Sequence, residues 1–195
     1  MSILPRTRER PATYADIEAL PSHVVGEILD GELFVSPRPA PPHAIAGSVM
    51  GFELGGPFQR GRGGPGGWWI LDEPELHFDA NVLVPDLAGW RVSRMPSPPE
   101  TAYFTVAPDW VCEVLSPSTT LMDRARKLPI YARAGVAWVW LVDPIAKMLE
   151  VLRLDAGRWV VEAVAGEDEK VRAAPFDAIE LELSALWSPP VPARE

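Results

Sequence analysis

Apolar and polar residues alternate along this chain in short runs, and glycine or proline closes most of them. EILDGELFV, residues 27–35, is two alternating runs about Asp30-Gly31. That dipeptide favours a type I′ hairpin, because both turn residues need positive φ. WWIL, ELHF and VLVPDLAGW (residues 68–71, 75–78 and 82–90) are rich in strand formers and predict strands. Trp110 to Leu115 reads as a buried strand. AWVWLVD, residues 137–143, is an apolar run bounded by Gly135 and Pro144, the pattern of a central strand. MLEVLRL-DAG-RWVVEAV, residues 148–164, predicts a second hairpin.

Helical spacing is rarer. TYADIEAL, from Thr13, offers an N-cap with an acid three residues on, then a short helix. HAIAGSVMGFEL, residues 43–54, places Ile45, Val49 and Phe52 on one helix face. A third helix is expected from the turn at Ser116–Thr119 to about Arg133. SPRPAPP (36–42) and PSPP (96–99) break the chain, since proline suits neither a helix interior nor a central strand. GGPFQRGRGGPGG (55–67) reads as a flexible connection carrying Arg60 and Arg62. These elements predict an α+β fold built on a mixed or antiparallel sheet. One domain is expected over residues 13–187, with a loose arm at 1–12 and a Pro-rich tail at 188–195.

Composition narrows the classes. With 195 residues, 47% of them hydrophobic, the chain can bury an ordinary core. No apolar run reaches the roughly 18 residues of a membrane span, and no apolar stretch follows the charged N-terminus. No signal peptide, no membrane association and a cytoplasmic setting are therefore expected. The single cysteine, Cys112, excludes an internal disulfide and a multi-cysteine metal site. A net charge of −9 argues against a general nucleic-acid coat protein, though not against an enzyme with a local basic patch. The phosphate-loop spacing is absent. His23, His43 and His77 are too dispersed for a zinc site. Ser116, Ser118 and Thr119 lack a nucleophile elbow and read as a turn and cap.

Two acids interrupt apolar strands: Asp86 in VLVPDLAGW and Glu113 in WVCEVL. An unpaired carboxylate there costs several kcal/mol, about the penalty for buried charge. The ordinary explanation is a strand-end cap or a buried arginine partner. Two such acids on neighbouring strands, about 4.8 Å apart, can instead share one hard cation such as Mg²⁺. On that reading, removing either acid relieves repulsion and raises metal-free stability. Asp123, Lys127 and Tyr131 form one helix stripe at i, i+4 and i+8, which by spacing alone fits a simple ion pair and a packed tyrosine. Glu73 and Glu75 read as a solvated edge, with a place facing the acidic cluster as the alternative. His43 opens its helix, either as a start residue or with a role near substrate. Cys112 alternates with Glu113 and should face the opposite way, into the core.

Four segments then carry a resemblance: GEILDGELFVSPRPAPPH, VPDLAGW, CEVLSPSTTLMDRARKLPIYARAGV and WLVDP. In this order they resemble the Uma-type family of endonucleases, a branch of the PD-(D/E)XK, restriction-endonuclease-like superfamily. The likeness runs from about Thr13 to Trp187. It implies a mixed central sheet flanked by helices, with added hairpins. It implies Asp86 and Glu113 as metal-binding acids, with Mg²⁺ (or Mn²⁺) as cofactor. Leu115 stands where the superfamily usually has lysine, and Lys127, one helix later, is implied to replace it. Glu27 matches a recurrent family glutamate, and Asp123 and Tyr131 are implied as auxiliary residues beside Lys127. The implied activity is Mg²⁺-dependent hydrolysis of DNA phosphodiesters, for which a homodimer with two sites is convenient. The alternative is an inactive nuclease fold kept for binding or assembly, and a third reading is a small-molecule metallohydrolase.

Overall fold

The hairpin about Asp30-Gly31 forms as β1 (Val24–Leu29) and β2 (Glu32–Pro37), with φ of 49° and 84° at the two turn residues. Positive φ at both positions is the type I′ signature. The computed structural model describes residues 10–187. The expected tail, and most of the expected arm, lie outside that range. Of the arm, residues 10–12 are docked: Ala12 is buried and donates its N–H to the Gly31 carbonyl at 2.8 Å. Helix α1 (Tyr14–Glu18) follows its capping box, in which Asp16 accepts the Thr13 N–H at 2.8 Å.

VLVPDLAGW is not one strand. Its first part joins β5 (Asn81–Leu83), which pairs with β4 (Leu76–Phe78); its last part is β6 (Leu87–Arg91). Pro85 has no N–H to continue a ladder, so the chain steps between two sheets at Val84-Pro85-Asp86. The smaller sheet has the order β2-β1-β5-β4 and is wholly antiparallel. The larger one also contains β3 (Trp68–Asp72), β7 (Trp110–Val114), β8 (Trp138–Asp143), β9 (Met148–Asp155) and β10 (Arg158–Gly166). Its order is β10-β9-β8-β7-β6-β3, and only β7 and β8 run parallel. A parallel pair needs a crossover, which the helical segment after β7 supplies. The second expected hairpin is the β9–β10 pair. A small ladder of β11 (Lys170–Val171) and β12 (Leu181–Glu182) leads to α5 (Ser184–Trp187).

Helix α2 (Pro41–Leu54) starts with two prolines, where their missing N–H groups cost nothing. Its buried face is Ala46, Met50 and Leu54; of the expected face Ile45, Val49 and Phe52, Val49 packs against this core while Phe52 is 79% exposed. The segment is apolar nearly all round, and periodicity therefore does not select a face. The run expected after Ser116 forms as α3 (Thr120–Met122), a π-helical turn (Asp123–Lys127) and α4 (Leu128–Ala134). Pro129 cannot donate to the preceding turn, and the wider π turn absorbs the break.

The large sheet has two covered faces. On one, α2 and Phe176 pack with Trp110, Cys112, Val114, Trp140 and Val142. On the other, Val111, Leu115, Val139 and Leu141 meet Ile130 and Tyr131 of α4 and Leu29, Phe34 and Leu83 of the small sheet. Alternation along β7 puts Cys112 on the first face and Glu113 on the second, as expected. Glu113 therefore points into the space between the large sheet, the small sheet and the helix. Among the described residues, no helix is long and apolar enough to cross a membrane.

Candidate active site

Lys127 carries the centre of this space. Its Nζ lies 3.0 Å from Glu27 Oε1, 3.3 Å from Glu113 Oε2 and 3.4 Å from Asp123 Oδ1. All four residues are 2–3% exposed. Three elements converge here: β1 supplies Glu27, β7 supplies Glu113, and the π turn supplies Asp123 and Lys127. Tyr131, a turn further on, donates its hydroxyl to Glu113 Oε1 at 2.5 Å. Leu115, on the same face of β7 as Glu113, is buried in apolar contacts. The amine beside Glu113 thus comes from the helix, and the strand position contributes only packing.

Asp86 sits at the step between the two sheets. Its Oδ2 accepts the Val114 N–H at 2.7 Å, and its Oδ1 lies 2.5 Å from His43 Nε2. Glu27 also accepts the Val84 N–H, at 2.8 Å. Two carboxylates therefore cap backbone N–H groups where the strands part company. Removing Asp86 would leave the Val114 N–H and the imidazole without this partner, a cost that opposes the expected gain from relieved repulsion. Neither His43's contact with Asp86 nor Glu27's with Val84 had a signal in the sequence beyond residue type, because both join residues distant along the chain.

Electrostatics follow from burial. Burial pushes the Glu113 carboxyl well above the usual range; Lys127 opposes this, while Asp123 and Asp86 add to it. Burial likewise raises Asp123 to about 6, against the pull of Lys127. For Lys127, burial works against the charged form, but Glu113, Glu27 and Asp123 outweigh it and hold the ammonium. Burial and the nearby Glu113 raise the Tyr131 phenol, which keeps it a donor. Burial pushes the Cys112 thiol up, as suits an inert core residue.

A cavity of about 390 Å³ opens onto this cluster. Glu27, Asp86, Glu113, Asp123, Lys127 and His43 line it, and so do the 36–40 loop and the 116–119 turn. The turn is tied by its own hydroxyls, with the Ser116 N–H on Thr119 Oγ1 at 3.1 Å. At the mouth, Arg38 pairs with Glu73 at 3.1 Å. Glu75 instead turns to His77, 2.7 Å away, outside the cavity. Beyond the Arg38–Glu73 pair, four acids of the lining thus face one ammonium and one imidazole, an excess that suits a hard cation. Among the described residues no group of three or more His, Cys, Asp or Glu side chains is arranged as a ready-made metal cage. Mg²⁺ does not need one, since it binds one or two carboxylates and keeps several waters. Asp86 and Glu113, both in the cavity lining, could supply those carboxylates.

A mixed six-stranded sheet with a β7–helix–β8 crossover, packed with helices and a smaller antiparallel sheet, is an α+β fold of the restriction-endonuclease-like class. The chain is similar in structure to a solved protein from Anabaena variabilis described as "a putative nuclease belonging to DUF820". The TM-score is 0.73 at 23% identity, over 91% of this chain and 98% of the other. Residues 11–185 match the profile of the Uma2 family, described as "Putative restriction endonuclease". The chain belongs to the Uma2 family. No curated protein matches it.

Proposed function

We propose that this chain is a metal-dependent endonuclease that hydrolyses phosphodiester bonds of DNA. The observation that carries the reading is the Lys127 ammonium, buried and 3.3 Å from Glu113, where Leu115 leaves the strand without a cation. Asp86 and Glu113 would hold Mg²⁺, or Mn²⁺ in its place, which supplies Lewis-acid polarisation of a phosphoryl oxygen and a more acidic water. In the hydrolysis itself, the water oxygen bonds to phosphorus, the ester P–O bond breaks, and the leaving oxygen ends with a proton. Lys127 stabilises the charge that develops on the phosphoryl group, as a preorganised donor in a site shielded from water. Tyr131 fixes one Glu113 oxygen, and His43 fixes one Asp86 oxygen, so neither carboxylate is free to rotate. Glu27 and Asp123 hold the ammonium in place.

The same contacts also favour a second reading, an inactive nuclease fold used for binding. All three acids near Lys127 already satisfy it, as a purely structural cluster would. Cleavage of circular DNA, single-stranded as well as plasmid, separates the two. The enzyme reading expects nicking with Mg²⁺ or Mn²⁺ that stops in chelator. Lys127→Ala should cost about 10²-fold in kcat, the scale of losing one charge-stabilising donor, while leaving metal binding intact. Lys127→Arg should rescue poorly, because the planar fork does not fit the space of an ammonium. Thermal melts give a readout independent of turnover. Metal should raise the Tm of the wild type and not that of Asp86→Ala. An equal rise in both, with no nicking, leaves the binding module as the answer. A homodimer, which would serve double-strand cutting, is checked by light scattering on the same sample.

A further inference from the structure

The cavity's size and depth bear on which form of nucleic acid can reach the acids. Glu113 and Asp123 are each 2% exposed, and Glu27 and Lys127 are each 3% exposed. A phosphodiester must therefore enter the cavity to meet them. Its volume of about 390 Å³ is that of a small-ligand site. The 36–40 loop and the 116–119 turn both line it. A paired duplex cannot bring one phosphate into such a space without kinking or opening its base steps, at a cost on the order of a few kcal/mol. An unpaired strand can, since each of its nucleotides turns independently of a partner.

Charge points the same way. Duplex-binding surfaces are broad and basic. Here most arginines around the helix are committed to acids: Arg124 to Glu150, Arg126 to Glu32 and Arg133 to Asp30. The cationic side chain at the cavity mouth is Arg38, 59% exposed and held loosely by a half-exposed Glu73. One arginine at a narrow entrance suits a single backbone, not the two phosphate rows of a duplex.

Resting on the nuclease reading above, we propose that the substrate is the unpaired strand. The enzyme takes a single-stranded segment, such as a tail or flap, one nucleotide at a time into the cavity between the two sheets. Arg38 meets its phosphate at the mouth.

The test uses the wild-type protein with Mn²⁺ and four substrates. They are a single-stranded oligonucleotide, its blunt duplex, the same duplex with a single-stranded tail, and bis(p-nitrophenyl) phosphate. The last is a small diester that needs no polymer access. The expected result is hydrolysis of the small diester, cutting of the strand, and cuts in the tailed duplex confined to the tail. The blunt duplex should be slower by about 100-fold, the cost of opening two base-pair steps. Blunt duplex cut within about twofold of the strand overturns the proposal and leaves the nuclease reading standing, since each tenfold is a definite barrier difference. Hydrolysis of the small diester with no polymer cut also overturns it, in favour of a small-molecule hydrolase. No hydrolysis of any substrate ends the nuclease reading, and this proposal with it.

Discussion

Two sets of ion pairs in this molecule look alike in a list of distances and differ in every physical respect. On the surface, Arg153 meets Glu162 at 3.1 Å and Arg133 meets Asp30 at 2.6 Å, both pairs well exposed. Inside, Lys127 meets three carboxylates at 3.0–3.4 Å with almost no exposure. Exposed pairs contribute about 0–1 kcal/mol each and need no reason beyond solubility. A buried cluster with more acids than cations costs desolvation that its attractions do not fully return. Stability alone does not account for the inner set, which is why the proposed function rests on it.

Substitutions sharpen the contrast. Lys127→Met should have the largest effect, lowering stability by about 3–5 kcal/mol, because it leaves Glu27, Glu113 and Asp123 buried without their cation. Denaturant melts at neutral pH check it. A loss under about 1 kcal/mol would mean that the cluster is far wetter than its burial indicates. Asp86→Ala comes next, at about 1–3 kcal/mol in the absence of metal, from the stranded Val114 N–H. A stabilised variant would show that repulsion among the acids outweighs that hydrogen bond.

A pH series tests Asp123. Its carboxyl is held at about 6, against 3.8 for an ordinary aspartate, chiefly by burial. Between those two values the folded protein binds a proton that the unfolded chain has released. Stability from this group is therefore full below about pH 4 and falls as pH rises toward 6. Asp123→Asn should flatten that part of the stability curve. An unchanged slope would remove Asp123 as its source. The smallest effect is expected at the surface. Arg153→Ala should change stability by no more than about 0.5 kcal/mol, a difference that added salt removes.

Local chemistry was readable where one residue's preference decides the outcome. Asp30-Gly31 marked its turn, the apolar run at 137–143 marked a central strand, and alternation in β7 separated Cys112 from Glu113. Lys127's stripe with Asp123 and Tyr131 was visible as spacing, and its site was legible through family resemblance. What escaped depends on the other side of a contact. The split of VLVPDLAGW between sheets is decided by which partners its halves find, although Pro85 marked the point. The buried face of α2 depends on the sheet it meets, because the helix is apolar around most of its circumference. His43 and Asp86 lie far apart in the chain, and no periodicity links them.

The Val84-Pro85-Asp86 step also makes the site a gauge of assembly. Glu27 belongs to the small sheet, Glu113 to the large one, and Lys127 to the helix that closes the space between them. Partial detachment of the small sheet would carry Glu27 away and open the ammonium to water, while the six-stranded sheet stayed intact. Activity should then fade on warming before the main cooperative transition, as expected when a subglobal opening has a lower free energy than global unfolding. On the proposed nuclease reading, turnover would be lost reversibly while most of the ordered structure remained.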